Sequence, residues 1–91
     1  MAFYKRTHEE HWLRDKLEDG RLVILEDNSI WEVHPSDREI TKHWLRISTI
    51  TVKDAEKGSH PYILSNRTEG EDARADYLRD SARTNITGEV A

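Results

Sequence analysis

The strongest constraint on the fold of this chain is residues 22–33, LVILEDNSIWEV, in which two apolar runs flank Asp27-Asn28. Asp and Asn both tolerate the positive φ angles that tight two-residue hairpin turns require. The pattern therefore predicts a β-hairpin whose loop consists of Asp27 and Asn28.

A two-residue loop also fixes the pairing of the two strands. It places Leu25 opposite Ile30 and Ile24 opposite Trp31, and because side chains alternate between faces, both faces become largely apolar. A hairpin that lies on a single core alternates apolar and polar residues instead. We therefore expect a barrel interior on one side, and a helix of the same chain or a second subunit on the other.

Composition limits the class of protein. The chain has 91 residues, which allow one domain, and its lack of cysteine excludes disulfides and thiolate chemistry. The formal net charge of −4 argues against a nucleic-acid binder, whose surface is normally basic. No apolar run approaches the roughly 20 residues needed to span a bilayer, and the first residues lack the apolar core of a signal peptide. We therefore expect a cytoplasmic protein.

The N-terminal segment, residues 1–20, is predicted to contain a short helix. Thr7 and Glu10 have the spacing of a capping box, and Gly20 suits a left-handed helix end. Because three turns of helix are marginal in water, this helix must dock on the outer face of the hairpin. Its apolar stripe consists of Trp12, Leu13 and Leu17.

Residues 21–78 are predicted to form a small, mainly β domain, a five-stranded antiparallel SH3-like barrel, with an OB-like barrel as the alternative. An S-x-x-E pattern from Ser36 predicts a short helical turn between the second and third strands. Trp31 and Trp44 are expected in the core, and residues 79–91 form a disordered tail because they are almost devoid of apolar side chains. The strands are expected at 22–25, 30–33, 47–52, 62–66 and 71–78.

Residues 25–37, LEDNSIWEVHPSD, followed by Trp44-Leu45, resemble a family of small bacterial proteins. The pattern of that family is L-E-D-G-S-x-W-E-V-x-P-x-D, then a W-L pair about ten residues later. Residues 62–66, YILSN, are similar to its Y-x-L-x-N segment. The resemblance implies an SH3-like barrel and implies no activity. One departure is Arg46-Ile47, which stands where the family often has Pro-Gly.

Metal binding has one candidate motif, the stretch from His8 to His11. A zincin motif requires two histidines four residues apart, whereas here they are three apart. A surface zinc site from these two histidines on one helix face is the alternative to a solvated helix start, which we favour. We therefore predict no metal and no cofactor.

A histidine beside a carboxylate is the minimum for acid–base chemistry, so one end of the barrel is an enzymatic candidate. Structural roles account for the same residues, since a small core needs its tryptophans and Asp37 lies within a capping box. We therefore predict no catalytic residue and no enzyme. The candidates are Trp31, Glu32, His34, Asp37, His43 and Trp44.

The favoured function is a non-catalytic association module that binds another protein or itself, with a homodimer about as expected as a monomer. SH3-like barrels use aromatic grooves for extended peptides, which supports this choice by fold analogy. The alternatives are a nucleic-acid-associated barrel and a small metal-binding protein or enzyme. The predicted interaction surface consists of Trp12, His34, His43 and Tyr62.

Overall fold

The computed structural model describes residues 4–55 and 60–80, which form a closed antiparallel β-barrel with strand order β1-β2-β3-β6-β5-β4. Two three-stranded meanders make up the barrel, and β1 pairs with β4 to close it. One short helix, α1 (Arg38–Thr41), lies between β3 and β4. The strands are β1 (Glu10–Leu17), β2 (Leu22–Leu25), β3 (Ser29–Val33), β4 (Thr49–Asp54), β5 (Tyr62–Asn66) and β6 (Glu71–Asp80).

The core fills the barrel from alternate positions of all six strands, as the two-residue period of strands requires. Trp31 and Trp44 are both buried, as predicted. Ala73 and Ala75 on β6 are also buried. The remaining buried apolar residues are Tyr4, Leu13, Val23, Leu25, Val33, Ile50, Val52, Tyr62 and Leu64.

The predicted N-terminal helix is wrong, because residues 10–17 form strand β1, and the barrel therefore has six strands instead of the predicted five. His11 and Leu13 point into the barrel, while Trp12 and Arg14 point outward. His11 is a polar residue at a buried position of β1. The sequence of residues 10–17 therefore does not show the alternation of apolar and polar residues that is typical of a strand. Pairing with β2 on one side and β4 on the other overrides the weak helical preference of the segment.

The register predicted for the hairpin is wrong by one residue, because Val23 pairs with Trp31 and Ile24 with Ile30. The loop contains Glu26, Asp27 and Asn28, with the Asn28 amide donating to the Leu25 carbonyl at 2.9 Å. Only Asn28 has a positive φ, 71°, which matches a three-residue hairpin loop. With the longer loop, Val23, Leu25, Trp31 and Val33 face the core, whereas Leu22, Ile24 and Ile30 alternate with them and are half-buried.

The second half of the chain agrees more closely with the prediction. Strand β5 occupies the expected residues, Ile50 and Val52 share the inward face of β4, and the short helix is present after β3. Residues 79 and 80 extend β6, whereas 81–91 of the predicted tail lie outside the described residues. In the described part, no helix is long and apolar enough to cross a membrane.

Helix α1 is short and differs from its prediction in capping. The Ser36 amide donates to the His34 ring at 3.1 Å, and no side chain caps α1 at Asp37. Helix α1 instead packs on Gly20, whose φ is 89°. A β-carbon at residue 20 would lie 2.6 Å from the Arg38 carbonyl oxygen, which is too close for any side chain. The Thr41 hydroxyl donates to the Gly20 carbonyl at 2.7 Å. Gly20 is therefore left-handed as predicted, but it seats α1 and ends no helix.

Candidate interaction surface and buried polar cluster

The outer side of β1 carries an exposed tryptophan next to an apolar turn. Trp12 is 49% exposed and pairs with Thr49 of β4. Residues 45–48 form the turn that leads into β4, with the Ser48 amide donating to the Leu45 carbonyl at 3.2 Å. The Ile47 amide donates to the Leu13 carbonyl at 2.7 Å, which holds this turn alongside β1.

Large apolar side chains are exposed on this turn as well. Leu45 is 67% exposed and Ile47 is 76% exposed. Together with Trp12 they are three of the four large exposed hydrophobic residues in the described ranges; the fourth is Leu17. We call the surface formed by Trp12, Arg14, Leu45, Arg46 and Ile47 the Trp12 face. Exposed apolar groups concentrated in this way mark sites of association in soluble proteins.

Two arginines flank these apolar side chains. The Arg46 Nε donates to the Arg14 carbonyl at 3.1 Å, and the Arg14 guanidinium donates to the Asn28 side-chain oxygen at 2.5 Å. Within residues 4–55 and 60–80, neither guanidinium lies in salt-bridge range of a carboxylate, although the chain has an excess of acidic residues. Arg21 and Arg74, in contrast, each pair with a carboxylate. Among the described residues, the two guanidiniums of the Trp12 face therefore have no ion-pair partner, although the Glu26 carboxylate accepts from the Trp12 amide at 2.9 Å.

The turn residue Ile47 is strained. Its φ is 60°, a left-handed conformation that β-branched residues rarely adopt. The conformation costs about 1–2 kcal/mol for an L-residue with a β-carbon. Glycine, or a Pro-Gly pair at residues 46–47, would suit the position better. The chain therefore exposes a large apolar side chain at an energetic cost.

A shallow polar cleft of about 530 Å³ continues the same surface of β1 and β4. Glu10 pairs with Thr51 and Trp12 pairs with Thr49, so their side chains share the outward face. The residues lining the cleft are His8, Glu10, Thr49, Thr51, Arg67 and Thr68. An extended segment that reaches the Trp12 face thus has a polar continuation available to it.

The inner side of β1 contributes His11 to a buried polar cluster at one end of the barrel. The Nδ1 of His11 lies 2.9 Å from a Glu26 carboxylate oxygen, and its Nε2 lies 3.1 Å from the Tyr4 hydroxyl. That hydroxyl donates to Asp27 at 2.5 Å. Arg6 completes the cluster by donating to the same Asp27 oxygen at 3.0 Å.

Asp27 connects this cluster to the core. Its second oxygen accepts from the Ser29 hydroxyl at 2.6 Å, and the Ser29 oxygen accepts from the Trp31 indole at 2.8 Å. Burial opposes the charged form of Asp27, but hydrogen bonds from Ser29, Tyr4 and Arg6 outweigh it and lower its pKa to about 2. Burial and the neighbouring Asp27 carboxylate raise the pKa of Tyr4 well above its ordinary range. Near neutral pH the Asp27 carboxylate is therefore ionised, and the Tyr4 hydroxyl keeps its proton.

The same side chains have the donor types of a metal site, since donor atoms of His11, Glu26 and Asp27 lie within 4.8 Å of one another. Their atoms are already committed to hydrogen bonds, and the Arg6 guanidinium provides a cation beside Asp27. The geometry is that of a complete hydrogen-bond network, and we do not assign these residues as metal ligands. Sequence reasoning missed the network because Glu26 lies 15 residues from His11.

The residues predicted as an interaction surface occupy different environments. Trp12 is exposed as described, and His43 is exposed after α1. His34 is half-buried and contacts the ring of His60, with 4.9 Å between centroids. Tyr62 is only 5% exposed and packs against Trp31, so it belongs to the core. Only Trp12 of this set lies on the Trp12 face.

The acid–base candidates are mainly engaged in ion pairs or burial. Glu32 pairs with Arg21 at 3.3 Å and with Arg38 at 3.7 Å. Asp37 pairs with Arg74 at 3.0 Å. Burial raises the pKa of Asp37, but the hydrogen bonds from Arg74 lower it more, so the pKa lies below its usual value. Trp44 is buried and donates to Glu71 at 2.9 Å. Glu32, Asp37 and Trp44 therefore each contact another part of the fold.

No family model, no curated protein and no solved structure matches the chain. What is shown is a small closed antiparallel barrel of six strands with one short helix.

Proposed function

We propose that this protein is a non-catalytic association module that binds a segment of another protein through the Trp12 face. The observation that carries the proposal is the concentration of exposed Trp12, Leu45 and Ile47 beside two arginines that pair with no carboxylate in the described part of the chain. Trp and Arg are the residue types most enriched at binding hot spots. The preferred ligand is therefore an apolar segment that also carries carboxylates.

Charge favours such a partner over a second copy of the same surface. In a two-fold dimer built on this face, Arg14 and Arg46 of each copy would approach the same residues of the other. A segment with Asp or Glu beside its apolar residues meets these guanidiniums with opposite charge, which gives specificity and a faster association. Self-association through this face is thus the less favoured form of the proposal.

The strain at Ile47 supports a role in binding. A side chain that costs stability and remains 76% exposed gains nothing from the fold. In the bacterial proteins that the sequence resembles, Pro-Gly often occupies residues 46–47, a pair that suits this type of turn. The same resemblance supports an SH3-like relation for the barrel, and we keep that relation and a cytoplasmic location as proposals.

A random peptide library displayed on phage and selected on the immobilised full-length chain tests the proposal. We expect enriched peptides to combine apolar residues with Asp or Glu, and their binding to weaken with added salt. Trp12→Ser should reduce the affinity of the selected peptides at least tenfold. The matched control is Leu17→Ser, which removes an exposed apolar residue of the same strand outside the Trp12 face.

Charge reversal provides the second arm of this experiment. The double variant with Arg14→Glu and Arg46→Glu should lose the acidic peptides and select peptides rich in Lys. Peptides that bind the Trp12→Ser protein as well as the unchanged protein would contradict the proposal. If light scattering showed a dimer and Trp12→Ser abolished it, the occupant of the Trp12 face would be a second copy of this chain and not a segment of another protein.

A further inference from the structure

Residues 4–7 form a strap that covers one end of the barrel before β1 begins. The ring of Tyr4 is buried with edge-on contacts to Trp31 at 4.8 Å, Tyr77 at 5.2 Å and Tyr62 at 6.4 Å between centroids. Its position closes the aromatic end of the core, independently of the Trp12 face.

The strap is fastened by side chains. Within the described ranges, no backbone–backbone hydrogen bond joins residues 4–7 to a strand, and the chain first pairs where the His8 amide donates to the Val52 carbonyl at 2.8 Å. The Tyr4 amide donates to the Tyr62 hydroxyl at 2.9 Å. The Arg6 carbonyl lies 3.0 Å from Nε2 of His11. The strap is therefore held by the packing of the Tyr4 ring and by a few polar side-chain contacts.

Each ring nitrogen of His11 faces a group that only accepts hydrogen bonds, and Nε2 also lies 3.1 Å from the Tyr4 hydroxyl, whose proton is donated to Asp27. Nδ1 faces the Glu26 carboxylate at 2.9 Å, and Nε2 faces the Arg6 carbonyl at 3.0 Å. Satisfying both acceptors requires a proton on each nitrogen, which is the imidazolium form. The cluster is then electrically balanced, because His11 and Arg6 oppose Glu26 and Asp27. This pairing offsets the cost of desolvating the buried His11 ring, while the Arg6 side chain is 46% exposed.

We propose that His11 is an imidazolium latch that holds the strap over the aromatic end of the barrel and releases it when it loses a proton. Without the Nε2 proton, the lone pair of that nitrogen faces the Arg6 carbonyl. The Tyr4 hydroxyl, 3.1 Å away, can then donate to Nε2 only by leaving Asp27. Two fastenings of the strap are thereby lost together.

The charged and titratable groups that face His11 come from two elements in the described part of the chain. Tyr4 and Arg6 belong to the strap, and Glu26 and Asp27 belong to the β2–β3 loop. Its partner on β4 is the apolar Ile50. Burial lowers the pKa of His11, but the hydrogen bonds to Glu26 and Arg6 raise it more, so the net pKa lies above its usual value.

The sign of the pH dependence follows from this direction. A histidine with a raised pKa in the folded state contributes its full stabilisation below its unfolded pKa, about 6.5, and loses it as the pH rises through the folded value. The strap is therefore fastened in mildly acidic solution and loses the His11 fastening as the pH rises through the folded pKa. Opening exposes the aromatic edges of Trp31, Tyr62 and Tyr77 to solvent.

Nuclear magnetic resonance of the full-length chain labelled with ¹⁵N tests the latch. At pH 6 both ring nitrogens of His11 should carry protons. Between pH 6 and 9 the hydrogen-exchange protection factor of the Tyr4 amide, corrected for intrinsic exchange, should fall at least tenfold. His11→Gln should remove this pH dependence, whereas His43→Gln, which changes an exposed histidine after α1, should preserve it.

Two results would overturn the latch. One is a neutral His11 ring at pH 6, a measurement on the unchanged protein that stands even where His11→Gln does not fold. The other is a fall in Tyr4 protection that persists in His11→Gln, since another group would then control the strap.

Discussion

His11 and Trp12 are neighbours on β1, yet the two sides of this strand have opposite character. On the inner side, a buried polar residue has a hydrogen-bond partner for each ring nitrogen, and its carboxylate neighbours are themselves satisfied. On the outer side, a large apolar residue is half exposed beside the arginines of the Trp12 face. The polar groups on the inner side are paired by hydrogen bonds within the chain, whereas the apolar ring of Trp12 on the outer side remains half exposed.

The comparison shows why a polar cluster is not by itself a catalytic site, nor an exposed ring a packing defect. Buried polar groups that are fully hydrogen-bonded serve the fold, because leaving any of them unpaired costs about 1–3 kcal/mol. Exposed apolar groups gain free energy only when another molecule covers them. In this protein we therefore look for function on the outer side of β1.

The largest expected contrast is between two tryptophans. Trp31 is fully buried, so Trp31→Ala should lower the free energy of unfolding by about 3–5 kcal/mol and leave this small domain largely unfolded. Trp12→Ala should change it by about 0.5 kcal/mol or less, as expected for a surface site. Urea denaturation followed by circular dichroism measures both, and a native-like midpoint for Trp31→Ala would refute the core assignment.

Acid should weaken the inner side of the comparison by about 2 kcal/mol. The pKa of Asp27 is lowered to about 2 from 3.8, so its stabilisation is present above 3.8 and disappears as the pH falls through 2. Urea unfolding at pH 5 and pH 2 should show a smaller loss for Asp27→Asn than for the unchanged chain. The control is Asp72→Asn, at an exposed carboxylate on β6. Equal losses in all three proteins would contradict the role of Asp27.

On the outer side, relief of strain should raise stability. Ile47→Gly removes the β-carbon from a residue at φ 60°, and the expected gain in unfolding free energy is about 1 kcal/mol. The same variant should bind the selected acidic peptides more weakly, because it removes an exposed apolar side chain. Thermal unfolding and peptide titration measure the two effects. A loss of stability would show that the turn is not strained.

The smallest expected effect concerns metals. Because the donor atoms around His11 are occupied by hydrogen bonds, added zinc or a chelator should leave the melting temperature unchanged. Thermal unfolding with and without excess zinc measures this. If zinc raised the melting temperature by several degrees and His11→Ala removed that rise, the inner cluster would be a metal site.

The candidate site was only partly predictable. Trp12 was predicted as an interaction residue, but for a helix that does not exist. Arg14, Leu45 and Ile47 were missed, because nothing in the sequence indicates that residues 45–47 lie exposed beside β1. No sequence signal joins residues 12 and 47, because their proximity depends on the pairing of β1 with β4.

The sequence by itself determined the local elements with strong patterns: β5, the hairpin, the turn after β3 and the inward face of β4. These follow from alternation and turn residues over a few positions, which act whatever the rest of the chain does. The tertiary structure alone decided the register of the hairpin and the conformation of residues 10–17. Asp27 extends the loop by accepting from Ser29, and β1 becomes a strand because β2 and β4 both offer unpaired edges. Pairing with β1 gives the backbone groups of both edges their hydrogen bonds. The resulting gain in free energy depends on strands that are distant in sequence, so it cannot be predicted from residues 10–17 alone.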